Sequence, residues 1–158
     1  MATSAVEKNI DTFAVRKCAY FIVAMSAAQS IVTATETKVL FDAVFNNQDG
    51  CFDVVTNHRW TPNVSGVVLG EGFIKFDSVT AGTICTVRIK KNGVLSYVTH
   101  QVAAANGDVW VSFPWRGTPN GTTDYYELFV EHDEGANIDV CSDGFSFFAG
   151  LVLPLTTS

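Results

Sequence analysis

The segment Phe145-Ser-Phe-Phe-Ala-Gly-Leu-Val-Leu153 decides the fold class of this chain, because it is apolar on both faces of an alternating pattern. One face carries Phe145, Phe147, Ala149, Leu151 and Leu153, and the opposite face carries Ser146, Phe148, Gly150 and Val152. The segment Tyr20-Phe-Ile-Val-Ala-Met25 has the same two-sided character. A strand with one face in water normally alternates apolar and polar residues. Both segments therefore predict β-strands whose outer face is covered as well.

Between these two segments the chain is rich in short runs of β-branched and aromatic residues separated by turn residues, which is typical of strands. Asn92-Gly93 predicts a two-residue hairpin, since both positions of a type I′ turn need a positive φ. We therefore predict an all-β, ten-stranded antiparallel jelly-roll sandwich. The ten predicted strands are Tyr20–Ser26, Thr37–Phe45, Cys51–Val55, Val67–Phe76, Thr83–Lys90, Val94–Val102, Val109–Phe113, Tyr125–His132, Ile138–Cys141 and Phe145–Leu153.

The pattern of residues 1–18 predicts a short helical arm. We expect residues 19–158 to form a single domain that follows it. Ser4 and Glu7 have the spacing of a capping box. Val6, Ile10 and Phe13 then recur at helical spacing. A helix this short is marginal alone in water, so it should dock on its own domain, a neighbouring subunit or a larger assembly.

Composition excludes several classes of protein. The 158 residues are 47% hydrophobic and 16% charged, with a formal net charge of −6. This argues against a disordered chain and against a basic nucleic-acid binder. All ten Lys and Arg residues precede Pro119, so the last quarter of the chain carries only acidic charges. That asymmetry fits either simple solubility or a negative surface that faces a basic partner.

The cysteine and acidic residues predict no metal or cofactor. Cys18, Cys51, Cys85 and Cys141 form no Cys-x-x-Cys pair, which argues against zinc. They are interpreted either as buried apolar thiols or as disulfides formed in an oxidising environment. Acidic residues that could offer oxygen atoms to calcium do not have the spacing of an EF-hand loop. These are Asp133, Glu134, Asp139 and Asp143.

No catalytic motif is visible, so we predict that the protein is not an enzyme. The sequence lacks a Gly-x-Ser-x-Gly elbow, a phosphate loop and a His-Glu-x-x-His motif. Glu131 with Asp139 is a conceivable hydrolytic pair, but solvated strand-end charges are the favoured interpretation. The segment Ser112–Asp124 is predicted to be a long loop. Trp115 and Arg116 in it are candidate ligand contacts, the alternative being that Trp115 packs back on the sandwich edge.

The order and spacing of the strands from about Ala19 to Leu153 resemble the tumour necrosis factor-like jelly roll, a family that includes the globular head of complement and many phage relatives. The segments that carry the resemblance are Phe21–Ile31, Thr37–Asp42, Asn47–Asp53, Trp60–Val68, Lys91–Gly93 and Phe145–Leu153. The resemblance implies a compact homotrimer whose first and last strands lie side by side near the three-fold axis. We expect the trimer interface to include Tyr20, Ile22, Phe129, Phe148 and Val152. The alternative cover for the two-sided strands is the N-terminal helix and the long loops.

The resemblance also suggests a function. A short helical arm on a free-standing trimer resembles a phage virion component, so we expect a capsid decoration or cement protein, or a head fibre, on the particle surface. Its partners would be further copies of itself and the major capsid protein or another virion protein. The contacts with the capsid would come from Val6, Ile10, Phe13, Arg16 and Lys17. The alternative is an adhesin that presents Trp115 and Arg116 to a host-surface receptor. The apolar run Cys18–Ala28 is too short to span a membrane as a helix.

Overall fold

The computed structural model describes residues 19–142 and 146–154, and these residues form an all-β sandwich of two antiparallel sheets. The prediction of an all-β antiparallel sandwich is therefore confirmed. The predicted helical arm, with Val6, Ile10, Phe13, Arg16 and Lys17, lies outside the described residues.

The described residues contain thirteen strands and one short 3₁₀ turn, Gln48–Gly50. The strands are β1 (Tyr20–Ala24), β2 (Gln29–Ile31), β3 (Thr37–Lys38), β4 (Ala43–Asn47), β5 (Phe52–Asp53), β6 (Arg59–Trp60), β7 (Gly66–Val79), β8 (Ile84–Lys91), β9 (Val94–Val102), β10 (Gly107–Gly117), β11 (Tyr126–His132), β12 (Ile138–Val140) and β13 (Phe147–Pro154).

The first sheet has the strand order β2-β12-β7-β13-β1-β4, with β10 paired to β7 as well. The second sheet has the order β5-β6-β11-β8-β9, with β3 paired to β11. The first and last strands of the described chain, β1 and β13, are antiparallel neighbours, as the resemblance implied. The hairpin between β8 and β9 turns at Asn92 and Gly93, both of which have positive φ, so the predicted turn is confirmed.

Two predicted elements differ from the observed ones. The segment Thr37–Phe45 was predicted to be one strand, but it divides into β3 in the second sheet and β4 in the first. The chain crosses between the sheets because Val39 and Phe41 are buried in the core. At the end of the crossing, the carboxylate of Asp42 accepts hydrogen bonds from the backbone N–H and the hydroxyl of Ser26, at 2.7 and 2.6 Å. Those bonds fix the start of β4 beside β1.

The first part of the predicted loop over Ser112–Asp124 is also strand, because β10 continues to Gly117. Pro114 has no N–H to donate, which normally argues against a strand interior. Among the described residues β10 is hydrogen-bonded to β7 alone, so it is an edge strand that tolerates proline.

Large aromatic side chains fill the space between the two sheets. Trp60, Trp115 and Tyr126 are almost completely buried, with ring centroids 5.2 to 6.0 Å apart. The ring of Phe148 lies 5.0 Å from that of Phe21 and 5.3 Å from that of Trp115. Residues from both sheets therefore make one continuous core, which fixes the orientation of each outer face.

Candidate assembly interface

The outer face of the first sheet is built from three ladders of side chains that cross β1, β13, β7 and β10. The register places the members of each ladder directly opposite one another, where side chains on one face are in contact. The ladders are Tyr20-Leu151-Leu69-Arg116, Ile22-Ala149-Glu71-Pro114 and Ala24-Phe147-Phe73-Ser112. Nine of these twelve residues are apolar or aromatic, so this face is one broad apolar surface.

Aromatic rings and a shallow depression shape this face. The ring of Phe73 lies 5.7 Å from that of Trp110 and 6.5 Å from that of Phe147, and Trp110 is half exposed. The depression lies beside this aromatic row over Ala149, and its rim includes Tyr20 and Leu69. Contiguous apolar patches of this kind mark interaction surfaces on soluble proteins.

The opposite face of the same strands lies in the core, and glycines there make room for Trp115. A Cβ atom on Gly70 would lie 2.0 Å from the Trp115 Nε1 atom, and one on Gly150 would lie 2.8 Å from the Phe21 ring. The Trp115 ring therefore crosses β7 at Gly70, and its Nε1–H donates to the carbonyl of Ala149 at 3.1 Å. This requirement for glycine was not predicted from the sequence, although two glycines one residue apart in a long strand, Gly70 and Gly72, were a visible signal.

Three of the residues proposed for contact with partners are therefore placed in the core. Phe148 and Val152 have no exposed surface, and Trp115 is only 1% exposed. Phe148 and Val152 were expected at the trimer interface, but they lie on the inner face of β13, and Leu151 and Phe147 are the outward residues. Trp115 packs into the sandwich, as the alternative interpretation held, so it cannot present a ring to a ligand. Arg116 is exposed, on β10 rather than on a loop.

The outer face of the second sheet is different in character, because charged side chains cover it. Arg88 pairs with Glu131 at 2.6 Å, and Lys38 pairs with Glu127 at 2.5 Å. Phe129 lies among them, with the ammonium groups of Lys90 and Lys38 at 4.4 and 5.8 Å from its ring centroid. Tyr20 and Ile22 lie on the apolar face of the first sheet, but Phe129 lies on this charged face. The five predicted interface residues do not share one surface.

A second exposed apolar surface lies along β9, the last strand of the second sheet. Val94, Leu95, Val98 and Val102 on this strand are between 45% and 70% exposed. Tyr97 of β9 packs against Phe113 of β10, with ring centroids 6.2 Å apart, so the two edge strands lie side by side. The register pairs Val98 with Arg88 and Val102 with Ile84, so these two valines lie at the β9 edge of the outer face of the second sheet.

The acidic residues considered for calcium or catalysis are used individually to close loops. Glu134 accepts hydrogen bonds from the Thr80 N–H at 2.8 Å and the Thr83 hydroxyl at 2.5 Å, and Asp133 accepts one from the Ile84 N–H at 2.7 Å. Glu131 lies in the second sheet and Asp139 in the first, so the structure does not bring that pair together. In residues 19–142 and 146–154, no group of three potential metal ligands is present.

Replacement of Glu134 by glutamine should weaken the dependence of stability on pH. The pKa of Glu134 is lowered from its ordinary value of 4.5, chiefly by the Thr80 hydroxyl and then by the Thr83 hydroxyl. A carboxyl group whose pKa is lower in the folded state stabilises the fold above its unfolded pKa, and this stabilisation is lost as the pH falls through the folded pKa. Between neutral pH and about pH 3, Glu134→Gln should therefore lose less unfolding free energy than wild type.

Urea titrations at the two pH values measure this difference, and Asp139→Asn, on an exposed strand position, is the control. An unchanged pH dependence in Glu134→Gln would contradict the stabilising role of the Glu134 carboxylate.

The buried cysteines of the described region support the interpretation as apolar thiols. Cys51 and Cys85 are free and buried, and Cys141 is 8% exposed. Burial raises the pKa of Cys85 to about 12, with further contributions from the charges of Asp133 and Glu134. Burial also raises the pKa of Cys51, whose sulfur accepts a hydrogen bond from the indole of Trp60 at 3.1 Å. Thiols in such surroundings are structural rather than reactive.

Comparison with solved structures shows the class of fold. The chain matches the structure of Eiger TNF from S. frugiperda with a TM-score of 0.61 and 10% sequence identity, over 89% of this chain and 94% of that one. It matches murine APRIL at pH 8.0 with a TM-score of 0.61 and 12% identity, over 87% of this chain and all of that one. No family model and no curated protein matches the sequence.

The protein therefore has a tumour necrosis factor-like jelly-roll fold, and the resemblance predicted from the sequence is confirmed at the level of fold. Among the described residues, no helix is long and apolar enough to cross a membrane.

Proposed function

We propose that three copies of this chain form a closed ring that serves as a structural component of a virion. The observation that carries the proposal is the contrast between the two outer faces. The face of the second sheet is covered by ion pairs, such as that between Arg88 and Glu131, and is suited to water. The face of the first sheet presents Tyr20, Leu151, Leu69 and Phe73 instead. Burial of apolar surface is the main driving force for association.

The two apolar surfaces favour a ring over a two-fold dimer. A two-fold dimer uses the same patch on both subunits, whereas a ring joins two different patches on each subunit. Here the face of the first sheet would receive the β9 edge of the next copy, with residues such as Val98 and Val102. The number of subunits, three, is what the resemblance to the TNF-like jelly roll implies.

The proposed role on the virion is adhesion without catalysis. The protein would act as a capsid decoration or cement protein, or as a head fibre, on the surface of a phage particle. The support is the TNF-like fold, which phage structural proteins also use, together with a surface suited to assembly. Residues 1–18 would contact the major capsid protein or another virion protein through Val6, Ile10, Phe13, Arg16 and Lys17. Three arms on one ring would bind together and so raise the overall affinity.

Deletion of residues 2–17 should separate assembly from attachment. We expect the shortened chain to remain a folded trimer, because none of the described core residues is removed. It should no longer join particles, since all three anchoring segments are lost at once. Particles produced with wild-type or shortened protein are purified and probed with a labelled antibody in electron micrographs. Unchanged incorporation of the shortened chain would exclude the anchoring role.

A receptor-binding adhesin is the second candidate function, and edge strand β4 is the observation that favours it. Phe45 is 68% exposed and Val44 is 49% exposed on this strand. Within the described part of the chain, β4 pairs with β1 alone, so its other edge is open to a partner. The same micrographs distinguish the two roles, because label at a tail tip favours the adhesin and label over the capsid favours decoration.

A further inference from the structure

Two opposite charges lie on the apolar face of the first sheet, on neighbouring strands. Glu71 lies on β7 between Ala149 and Pro114, and Arg116 lies on β10 opposite Leu69. Both line the depression over Ala149, and both are exposed in the single chain. Charged residues are depleted at the centre of protein interfaces, so a carboxylate and a guanidinium on such a face need an explanation.

The two charges do not pair within the chain. Glu71 is directly opposite Pro114, so Arg116 is its diagonal neighbour, and no ion pair joins them. Every other lysine or arginine of the described residues has a carboxylate or ring partner. Lys38, Lys75, Arg88, Lys90 and Lys91 form ion pairs, and Arg59 stacks on the Tyr125 ring. Arg116 makes only a hydrogen bond of 3.3 Å from its Nη1 atom to the carbonyl of Trp115.

We propose that Glu71 of one copy pairs with Arg116 of the next copy, so that three such pairs close the ring. This inference rests on the proposed trimer. Assembly would take both charges out of water, and a buried charge left without a partner is strongly unfavourable. In a ring, a residue on one copy meets a different residue on the next copy. The apolar face of the first sheet carries one charge of each sign, so Glu71 of one copy can meet Arg116 of the next. The pair would therefore fix the register and the direction of the ring, a specificity that apolar contacts alone give weakly.

Charge reversal tests the pair. Glu71→Arg places two cations together at each contact, and Arg116→Glu places two carboxylates together. We expect each single variant to raise the dissociation constant of the trimer by at least about tenfold. The double variant Glu71→Arg/Arg116→Glu should return the constant close to the wild-type value. Sedimentation over a range of micromolar concentrations measures all four proteins, and circular dichroism confirms that each is folded.

An equimolar mixture of the two single variants separates a pair between copies from a pair within one copy. A mixed ring of three contains two matched contacts and one repulsive contact, whereas a ring of one variant contains three repulsive contacts. Mixed trimers, identified by a tag on one variant, should therefore form more tightly than either variant alone. If Glu71 and Arg116 paired within one chain, mixing the variants would not tighten the trimer, because each chain would still contain two like charges.

The control is Asp139→Arg, which makes the same change of charge on β12, outside the depression, and should leave the trimer intact. Single variants that assemble as tightly as wild type would overturn the pair while leaving the trimer in place. A double variant that fails to recover, or a mixture that shows no gain, would overturn it too. A wild-type chain that is monomeric would instead overturn the proposed function on which the pair depends.

Discussion

Replacement of Trp115 by alanine should lower the free energy of unfolding by about 3–5 kcal/mol, the usual cost of removing a large buried aromatic side chain. The Trp115 ring is 1% exposed and contacts the rings of Trp60, Tyr126 and Phe148. Gly70 and Gly150 lie beneath it and have no side chains that could fill the cavity. The variant also loses the hydrogen bond that joins β10 to the carbonyl of Ala149.

Phe45→Ala is the control, because Phe45 is also aromatic but is 68% exposed and lies outside the three outer ladders. This control should lower the free energy of unfolding much less than Trp115→Ala does. Urea titrations at one fixed protein concentration measure both variants, since association stabilises the folded chain in a concentration-dependent way. Equal stability of the two variants would show that Trp115 is not part of the core. A glycan or receptor contact by Trp115 would instead leave its stability unchanged and abolish binding.

Replacement of Leu151 by aspartate should dissociate the proposed trimer into folded monomers. Leu151 lies in the outer ladder between Tyr20 and Leu69, and only part of it is buried in the single chain. Each subunit of the ring would then place an unpaired carboxylate against apolar surface, at a cost of several kcal/mol per charge. The dissociation constant should rise by more than about a thousandfold, which corresponds to about 4 kcal/mol.

Leu40→Asp is the control for this substitution, because Leu40 is 45% exposed on the crossing between β3 and β4, outside the three outer ladders. It should remain a trimer. Size-exclusion chromatography with light scattering measures the mass of both variants. A trimeric Leu151→Asp variant of wild-type stability would show that the outer face of the first sheet is not the assembly surface.

The sequence was sufficient to predict the fold, because several independent local patterns agreed. The alternation in β8, the Asn92-Gly93 turn and the two-sided strands β1 and β13 are properties of neighbouring residues. The division of Thr37–Phe45 into two strands was not predictable in this way. The division depends on the burial of Val39 and Phe41 between the two sheets. The strands that bury these residues are distant in the chain, so the local pattern does not show it.

The outward-facing side chains were predicted only in part, and the reason is physical. When both faces of a strand are apolar, periodicity separates the two faces but does not tell which one points inward. Phe148 lies on the inner face of β13, where its ring packs against those of Phe21 and Trp115 in the core. Phe129 lies on the other sheet, where the ammonium groups of Lys90 and Lys38 lie over its ring.

Sedimentation equilibrium of the wild-type chain at micromolar concentration is the most direct test of the account. We predict a single species with three times the mass of the chain. Its binding of a dye for exposed apolar surface should be low, because the ladders of the first sheet are covered. A monomer that stays soluble and binds no dye would contradict the account, since it would show that the face formed by Tyr20, Leu151, Leu69 and Phe73 needs no second copy.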